Sequence, residues 1–138
     1  MAALRQSGAL IAVLLGFFIV MLDATIVNVA LADIGTDLDA PVASLQWVVD
    51  SYTLVFAAFL LTSGAACDRL GARAVYMFGL LLFGVLSVVC ALAPTGGALV
   101  VARAFQGAGA SAIVPGSLAL LSVIYTEPDA RSRAIGLW

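Results

Sequence analysis

The chain is 138 residues long, 64% of them hydrophobic and only 10% charged, against roughly 25% charged in an ordinary soluble domain. Its six basic residues are all arginine, it has no histidine and its net charge is −2, so it lacks both the basic patch of a nucleic-acid binder and the imidazoles of a histidine-ligated zinc or haem site. A mean hydropathy of +1.17 excludes a water-soluble enzyme and a disordered chain alike, and leaves an all-α integral membrane protein.

A membrane-spanning helix takes about 20 mostly apolar residues, and four such stretches are read in chain order. They cover about residues 8–30, 45–66, 74–93 and 98–122. Asp33-Ile34-Gly35-Thr36-Asp37 with Pro41 breaks the chain after the first. Asp68-Arg69-Leu70-Gly71-Ala72-Arg73 breaks it after the second, Pro94-Thr95-Gly96-Gly97 after the third and Glu127-Pro128-Asp129 after the fourth. Ala134-Ile135-Gly136-Leu137-Trp138 reads as the start of a fifth apolar segment, too short to span. The pattern favours the N-terminal part of a longer protein over a natural end with an interfacial tryptophan. Ala30-Leu31-Ala32 imitates a signal-peptidase site. The apolar run before it exceeds the usual 7–15 residues and carries Asp23, so it reads as a retained helix.

Arginine sets the orientation. Arg5 precedes the first span, Arg69 and Arg73 lie between the second and third, and Arg131 and Arg133 follow the fourth. Segments 31–44 and 94–97 carry no basic residue. The positive-inside rule then places the N-terminus and segment 67–73 in the cytoplasm, in a multi-pass protein of the cytoplasmic membrane. Asp33, Asp37 and Asp39 form a solvated outer connection. Cys67 and Cys90 fall near opposite ends of their spans, separated by roughly 24 Å of helix rise. A disulfide needs Cα atoms within about 7 Å, so both read as packing residues.

Three charged residues fall inside spans. Asp23, Asp50 and Arg103 lie at similar depth, roughly 7–11 Å below the outer boundary. Intramembrane charges are costly and usually face protein or water. Two acids and one arginine at one level compensate each other and leave one carboxylate in excess. A carboxylate without a partner in low dielectric holds its proton to higher pH, which suits a proton carrier. The alternative is a structural ion pair, or an arginine that snorkels to the surface.

Helical spacing places Gln46, Asp50, Thr53 and Ala57 on one face of the second span. Arg103, Gln106, Gly107, Ala110 and Ser111 share a face of the fourth. Thr25 and Asn28 lie close together on the first span while Asp23 points away from both, which predicts a first helix surrounded by protein. The third span, whose polar side chains are Tyr76 and Ser87, reads as the peripheral, lipid-facing helix. Gly107-Ala108-Gly109-Ala110-Ser111-Ala112 lets neighbouring backbones approach closely, and Pro115-Gly116 is a candidate kink. No nucleophile–base pair, metal cluster or cofactor-binding loop is legible, and no cofactor is expected.

Four segments carry a family resemblance. Gly64-Ala65-Ala66-Cys67-Asp68-Arg69-Leu70-Gly71-Ala72-Arg73 resembles the G-x-L-A-D-R-x-G-R-[KR] signature between the second and third helices of the major facilitator superfamily. Ala72 stands where that signature carries an arginine. Arg103-Ala104-Phe105-Gln106-Gly107-Ala108-Gly109-Ala110 resembles its fourth-helix R-x-x-Q-G-x-G-A motif. Leu22-Asp23-Ala24-Thr25-Ile26-Val27-Asn28-Val29-Ala30-Leu31 looks like the first-helix motif of the fourteen-helix drug:H⁺ antiporters. Ala32 takes the place of that motif's usual proline. Gln46-Trp47-Val48-Val49-Asp50-Ser51-Tyr52-Thr53-Leu54 resembles the second helix of the same branch.

The resemblance implies the N-terminal part of a major-facilitator-type bundle: four transmembrane helices and the start of a fifth, with the remaining helices of the same protein as partners. It implies proton-coupled efflux of drugs or other small lipophilic compounds. Asp23 would couple substrate or proton, Arg103 would tune proton affinity, and Gln106, Gly107 and Gly109 would support it. Gly64, Asp68, Arg69, Gly71 and Arg73 would form a cytoplasmic loop gate, with Asp68 capping or pairing with a neighbouring helix end. Asp50 joins the coupling group on depth and face alone, with Thr25, Asn28 and Gln46 as supporting polar residues. The rival readings are a small four-helix exporter working as an oligomer, and a non-transporting membrane scaffold or accessory subunit.

Overall fold

The computed structural model describes the backbone of residues 2–138 and the side chains from Gly8 onward, so the Arg5 side chain used to orient the chain lies outside the described residues. Five helices follow one another: α1 (Ala2–Asp37), α2 (Val42–Leu70), α3 (Ala72–Ala91), α4 (Gly96–Ile124) and α5 (Pro128–Leu137). The first four are long and apolar enough to cross a membrane.

The helices run further than hydropathy predicts. α1 continues past Ala30 through the acidic stretch to Asp37, so the connection to α2 shrinks to a tight turn. Asp39 sits there at φ 45°, a left-handed conformation that Asp tolerates better than most residues. Pro41 then opens α2 from an extended conformation. At the other end Gly71 alone separates α2 from α3. Its φ of 89° explains the glycine, because a side chain there would be strained. Its N–H caps α2 on the Cys67 carbonyl at 3.1 Å. The Thr95 hydroxyl accepts from the Ala98 N–H at 3.2 Å and starts α4. The fifth segment is helical from Pro128, whose fixed φ suits a first turn.

α4 is the central helix. Half of its span is buried (50%), against 17–22% for the other three. α2 and α3 pack most extensively against it, and α1 and α5 less so. Small residues permit this approach. A β-carbon on Gly107 would collide with the Tyr52 carbonyl oxygen, and one on Gly109 would lie 2.9 Å from the Phe83 nitrogen. Gly79 of α3 is equally confined, 2.9 Å from the Gly109 carbonyl oxygen. In lipid, helix association rests on such van der Waals contact and on interhelical hydrogen bonds. Ser63 and Ser111 add one across α2 and α4 at 3.2 Å. Tyr76 of α3 donates to the Ala12 carbonyl of α1 at 2.9 Å.

Two expectations need correction. α1 is not enclosed here: Ile11, Phe18, Ile26 and Val29 are exposed, because among the described residues it has neighbours on one side. α3 does present a bare apolar face at Met77, Phe78, Leu81 and Val85, yet it is not merely peripheral. Its opposite face carries Tyr76, Ser87 and Cys90 into the interior.

Candidate functional site

The intramembrane charges are best followed from Arg103, which is 2% exposed. Burial of a guanidinium requires partners for its fixed fork of donors. One terminal nitrogen, Nη1, donates to Asp23 Oδ2 at 2.6 Å and to Gln106 Oε1 at 2.8 Å. Nε donates to the Val48 carbonyl at 3.4 Å. The guanidinium carbon stands 4.1 Å from the centre of the Tyr52 ring, a cation–π contact strengthened by desolvation. These directions all lead into the bundle, so Arg103 does not snorkel.

Gln106 completes the cluster. Its Nε2 donates to Asp23 Oδ1 at 3.1 Å and to Ser87 Oγ at 2.9 Å. Its Oε1 accepts from Arg103 and from the Cys90 thiol at 3.4 Å. Both Asp23 oxygens are thereby engaged by α4, the carboxylate being the partner of the one ion pair among the described residues. The Tyr52 hydroxyl is buried and has no hydrogen-bond partner among those residues.

A cavity of about 410 Å³ adjoins the cluster. It extends between α1, α3 and α4, with Val48 of α2, from Asp37 and Leu38 at the α1–α2 turn to Asp23, Cys90 and Gln106. The cluster is thus buried against protein on one side and reachable from the α1–α2 turn on the other.

Asp50 does not join this group. Val48 and Tyr52 face Arg103, and Asp50 stands about 200° around α2 from each. It is exposed beside Gln46, Leu45 and Leu31. Equal depth does not make a shared face, so the cluster is a balanced one-to-one pair without an excess carboxylate. Gln46, Asp50, Thr53 and Ala57 instead form an exposed stripe along α2. Thr25 and Asn28 are exposed on α1 and bond their own helix, Thr25 to the Met21 carbonyl at 3.0 Å and Asn28 to that of Ala24 at 2.8 Å.

Gly107 and Gly109 act through close packing, as described above. The residues expected to form a loop gate between the second and third spans are placed differently from expectation. Gly64, Asp68 and Arg69 lie within α2, Gly71 is the single linker, and Arg73 is in the first turn of α3. Asp68, Arg69 and Arg73 are exposed. Among the described residues Asp68 makes no ion pair and caps no neighbouring helix.

Sequence reasoning missed Tyr52, Ser87 and Cys90 as members of the cluster. Ser87 and Cys90 stand at i and i+3 on an otherwise apolar helix, a spacing that marks a shared face. Tyr52 follows Val48 by one turn on the face opposite Asp50.

The sequence profile described as Major Facilitator Superfamily matches residues 13–138. A methylenomycin A resistance protein of Streptomyces coelicolor is 46% identical over 123 residues, 89% of this chain and 26% of that protein. Multidrug resistance protein Stp of Mycobacterium tuberculosis is 45% identical over 94% of this chain and 24% of its own length. Cephamycin export protein CmcT of Amycolatopsis lactamdurans is 40% identical over 92% and 26% respectively. The chain spans about a quarter of the length of these curated relatives.

Proposed function

The chain belongs to the Major Facilitator Superfamily, and on that premise we propose that it is the N-terminal part of a proton-coupled exporter of drugs or other small lipophilic compounds. The observation that carries this reading is the Asp23–Arg103–Gln106 cluster: a carboxylate on an apolar helix held by a cation and an amide, beside a cavity that reaches the α1–α2 turn. The names of the relatives, which speak of resistance and export, support the substrate class.

Asp23 is the coupling acid in this reading. When it is ionised, Arg103 and Gln106 bind it and draw α1 onto α4. When it takes a proton from the outer side, the ion pair is lost and α1 is released. A two-state transporter needs such a differential interaction, because a proton shifts an equilibrium only by its unequal affinity for the two states. Alternating access then follows by rocking of this bundle against a second one. The exposed stripe of Gln46, Asp50 and Thr53, with Thr25 and Asn28, faces the space between the bundles and meets the substrate. The N-terminus and the α2–α3 junction lie in the cytoplasm, in line with the basic residues Arg69 and Arg73. Transport requires no chemistry on the substrate, and an enzymatic role has no part in this reading.

The test is expression of the complete reading frame that carries this segment in a drug-sensitive bacterium lacking its own efflux pumps. Increased resistance, with dye efflux that a protonophore abolishes, is expected. Efflux that survives collapse of the proton gradient overturns the proton coupling, and an absence of any efflux overturns the transport reading.

A further inference from the structure

We propose that Ser87 of α3 is a positioning residue for proton coupling, acting on Asp23 through the Gln106 amide; the proposal rests on the reading of Asp23 above. The donor and acceptor accounting leads there. Ser87 Oγ donates its one proton to the Phe83 carbonyl of its own helix at 2.8 Å. Toward Gln106 it is therefore an acceptor, and it takes one of the two amide hydrogens at 2.9 Å. On the other side of the amide, Arg103 has donors and no acceptor, so it takes the amide oxygen. Cys90, one helical turn from Ser87, donates to that same oxygen at 3.4 Å. The amide is held at both ends in one orientation, and its second hydrogen is aimed at Asp23 Oδ1.

Gln106 is 1% exposed, and each of its four partners comes from a defined helix: Asp23 from α1, Ser87 and Cys90 from α3, and Arg103 from α4 itself. α3 thus reaches the coupling acid only through Gln106, and without contributing a charge. The charged and titratable groups around Asp23 are Arg103 from α4, the Tyr52 phenol from α2 and the Cys90 thiol from α3. Ser87 does not titrate, so its effect on pH dependence has to travel through Gln106. Loss of the Ser87 acceptor frees one end of the amide, and its donation to the carboxylate loosens. The charged form of the acid is then less well held.

The test is the pH profile of gradient-driven efflux by the complete transporter in proteoliposomes. Ser87→Ala is expected to move the midpoint toward higher pH by about half a unit, the size of one modest hydrogen bond. Ser87→Thr, which keeps the hydroxyl, is expected to restore the midpoint. Gln106→Leu is expected to move it at least as far, and Ser87→Ala combined with Gln106→Leu no further than Gln106→Leu alone. A wild-type midpoint in Ser87→Ala overturns the proposal. So does a double variant whose shift is the sum of the single ones. Should Ser87→Ala fail to insert, Ser87→Gly and the pair Ser87→Thr and Gln106→Leu read the same coupling. Asp23→Asn separates the two levels: a full pH profile in that variant overturns the coupling role of Asp23 itself, whereas a flat profile there with an unmoved Ser87→Ala midpoint overturns the role of Ser87 alone.

Discussion

Asp23 and Arg103 lie 80 positions apart and meet at 2.6 Å between α1 and α4. The pair is one to one, and Gln106 occupies the carboxylate oxygen that Arg103 leaves free. This bond ties α1 to α4 beside the packing of Val13 and Val20 into the core and the Tyr76 hydrogen bond to Ala12.

Arg103→Ala is therefore expected to destabilise the protein. It leaves a half-buried carboxylate, 18% exposed, without its cation, and the loss is expected to stay below the roughly 3–5 kcal/mol of fully buried pairs. Arg103→Lys is expected to recover part of that loss, because a point charge reaches Asp23 but cannot also serve the Gln106 oxygen and the Val48 carbonyl. Removing both charges together, in Asp23→Asn with Arg103→Gln, is expected to cost less than Arg103→Ala alone. Thermal unfolding in detergent orders the variants.

Two glycines from the resembling motifs are expected to behave in opposite ways. Gly107→Ala forces a methyl group against the Tyr52 carbonyl oxygen, so α2 and α4 must separate. The expected loss is about 1–3 kcal/mol. Gly64 has open space where a β-carbon would go, and Gly64→Ala is expected to be neutral or to stabilise α2 by about 0.4–1 kcal/mol. A comparison of folded yield and unfolding temperature decides. Equal sensitivity at both positions would contradict the packing described for α4.

Tyr52→Phe removes a buried hydroxyl that has no partner among the described residues and keeps the ring under Arg103. It is expected to leave stability unchanged or raise it by about 1 kcal/mol. Tyr52→Ala loses the cation–π contact and the stacking with Phe56, whose ring lies 6.3 Å away, and is expected to be clearly destabilising in the same assay.

Asp50→Asn is expected to leave unfolding within about 0.5 kcal/mol of the parent, as for an exposed position without a hydrogen-bond partner among the described residues. If the α2 stripe meets substrate, the same change lowers efflux of cationic drugs more than that of neutral ones. Dye-efflux rates for a cationic and a neutral compound, measured side by side, check the second half.

These contrasts also show which features were legible in the residues. The four spans are plain, because apolar runs of that length have few other uses. The Arg103–Gln106 face of α4 follows from spacing alone. The end of α1 was hidden by Asp33 and Asp37, which read as a loop yet lie on the last turns of a helix that projects beyond the apolar stretch. Asp50 was misplaced because depth along a helix is easy to count, whereas the face turned inward depends on which neighbours are present. Ser87 and Cys90 were passed over because two weakly polar residues on an apolar helix are indistinguishable from packing until Gln106 is set opposite them. Close approach at Gly107 and Gly109 was foreseeable from residue size, but the partners Tyr52 and Phe83 were not.

The coupling role proposed for Asp23 is tested most directly by reconstituting the complete protein that carries this segment, as parent and as Asp23→Asn, into proteoliposomes with an imposed proton gradient. Drug movement and proton movement are followed together. Asp23→Asn should abolish gradient-driven drug accumulation and the accompanying proton flux, while exchange of drug across the membrane without a gradient persists. Gradient-driven transport by Asp23→Asn at the parent rate would contradict the assignment.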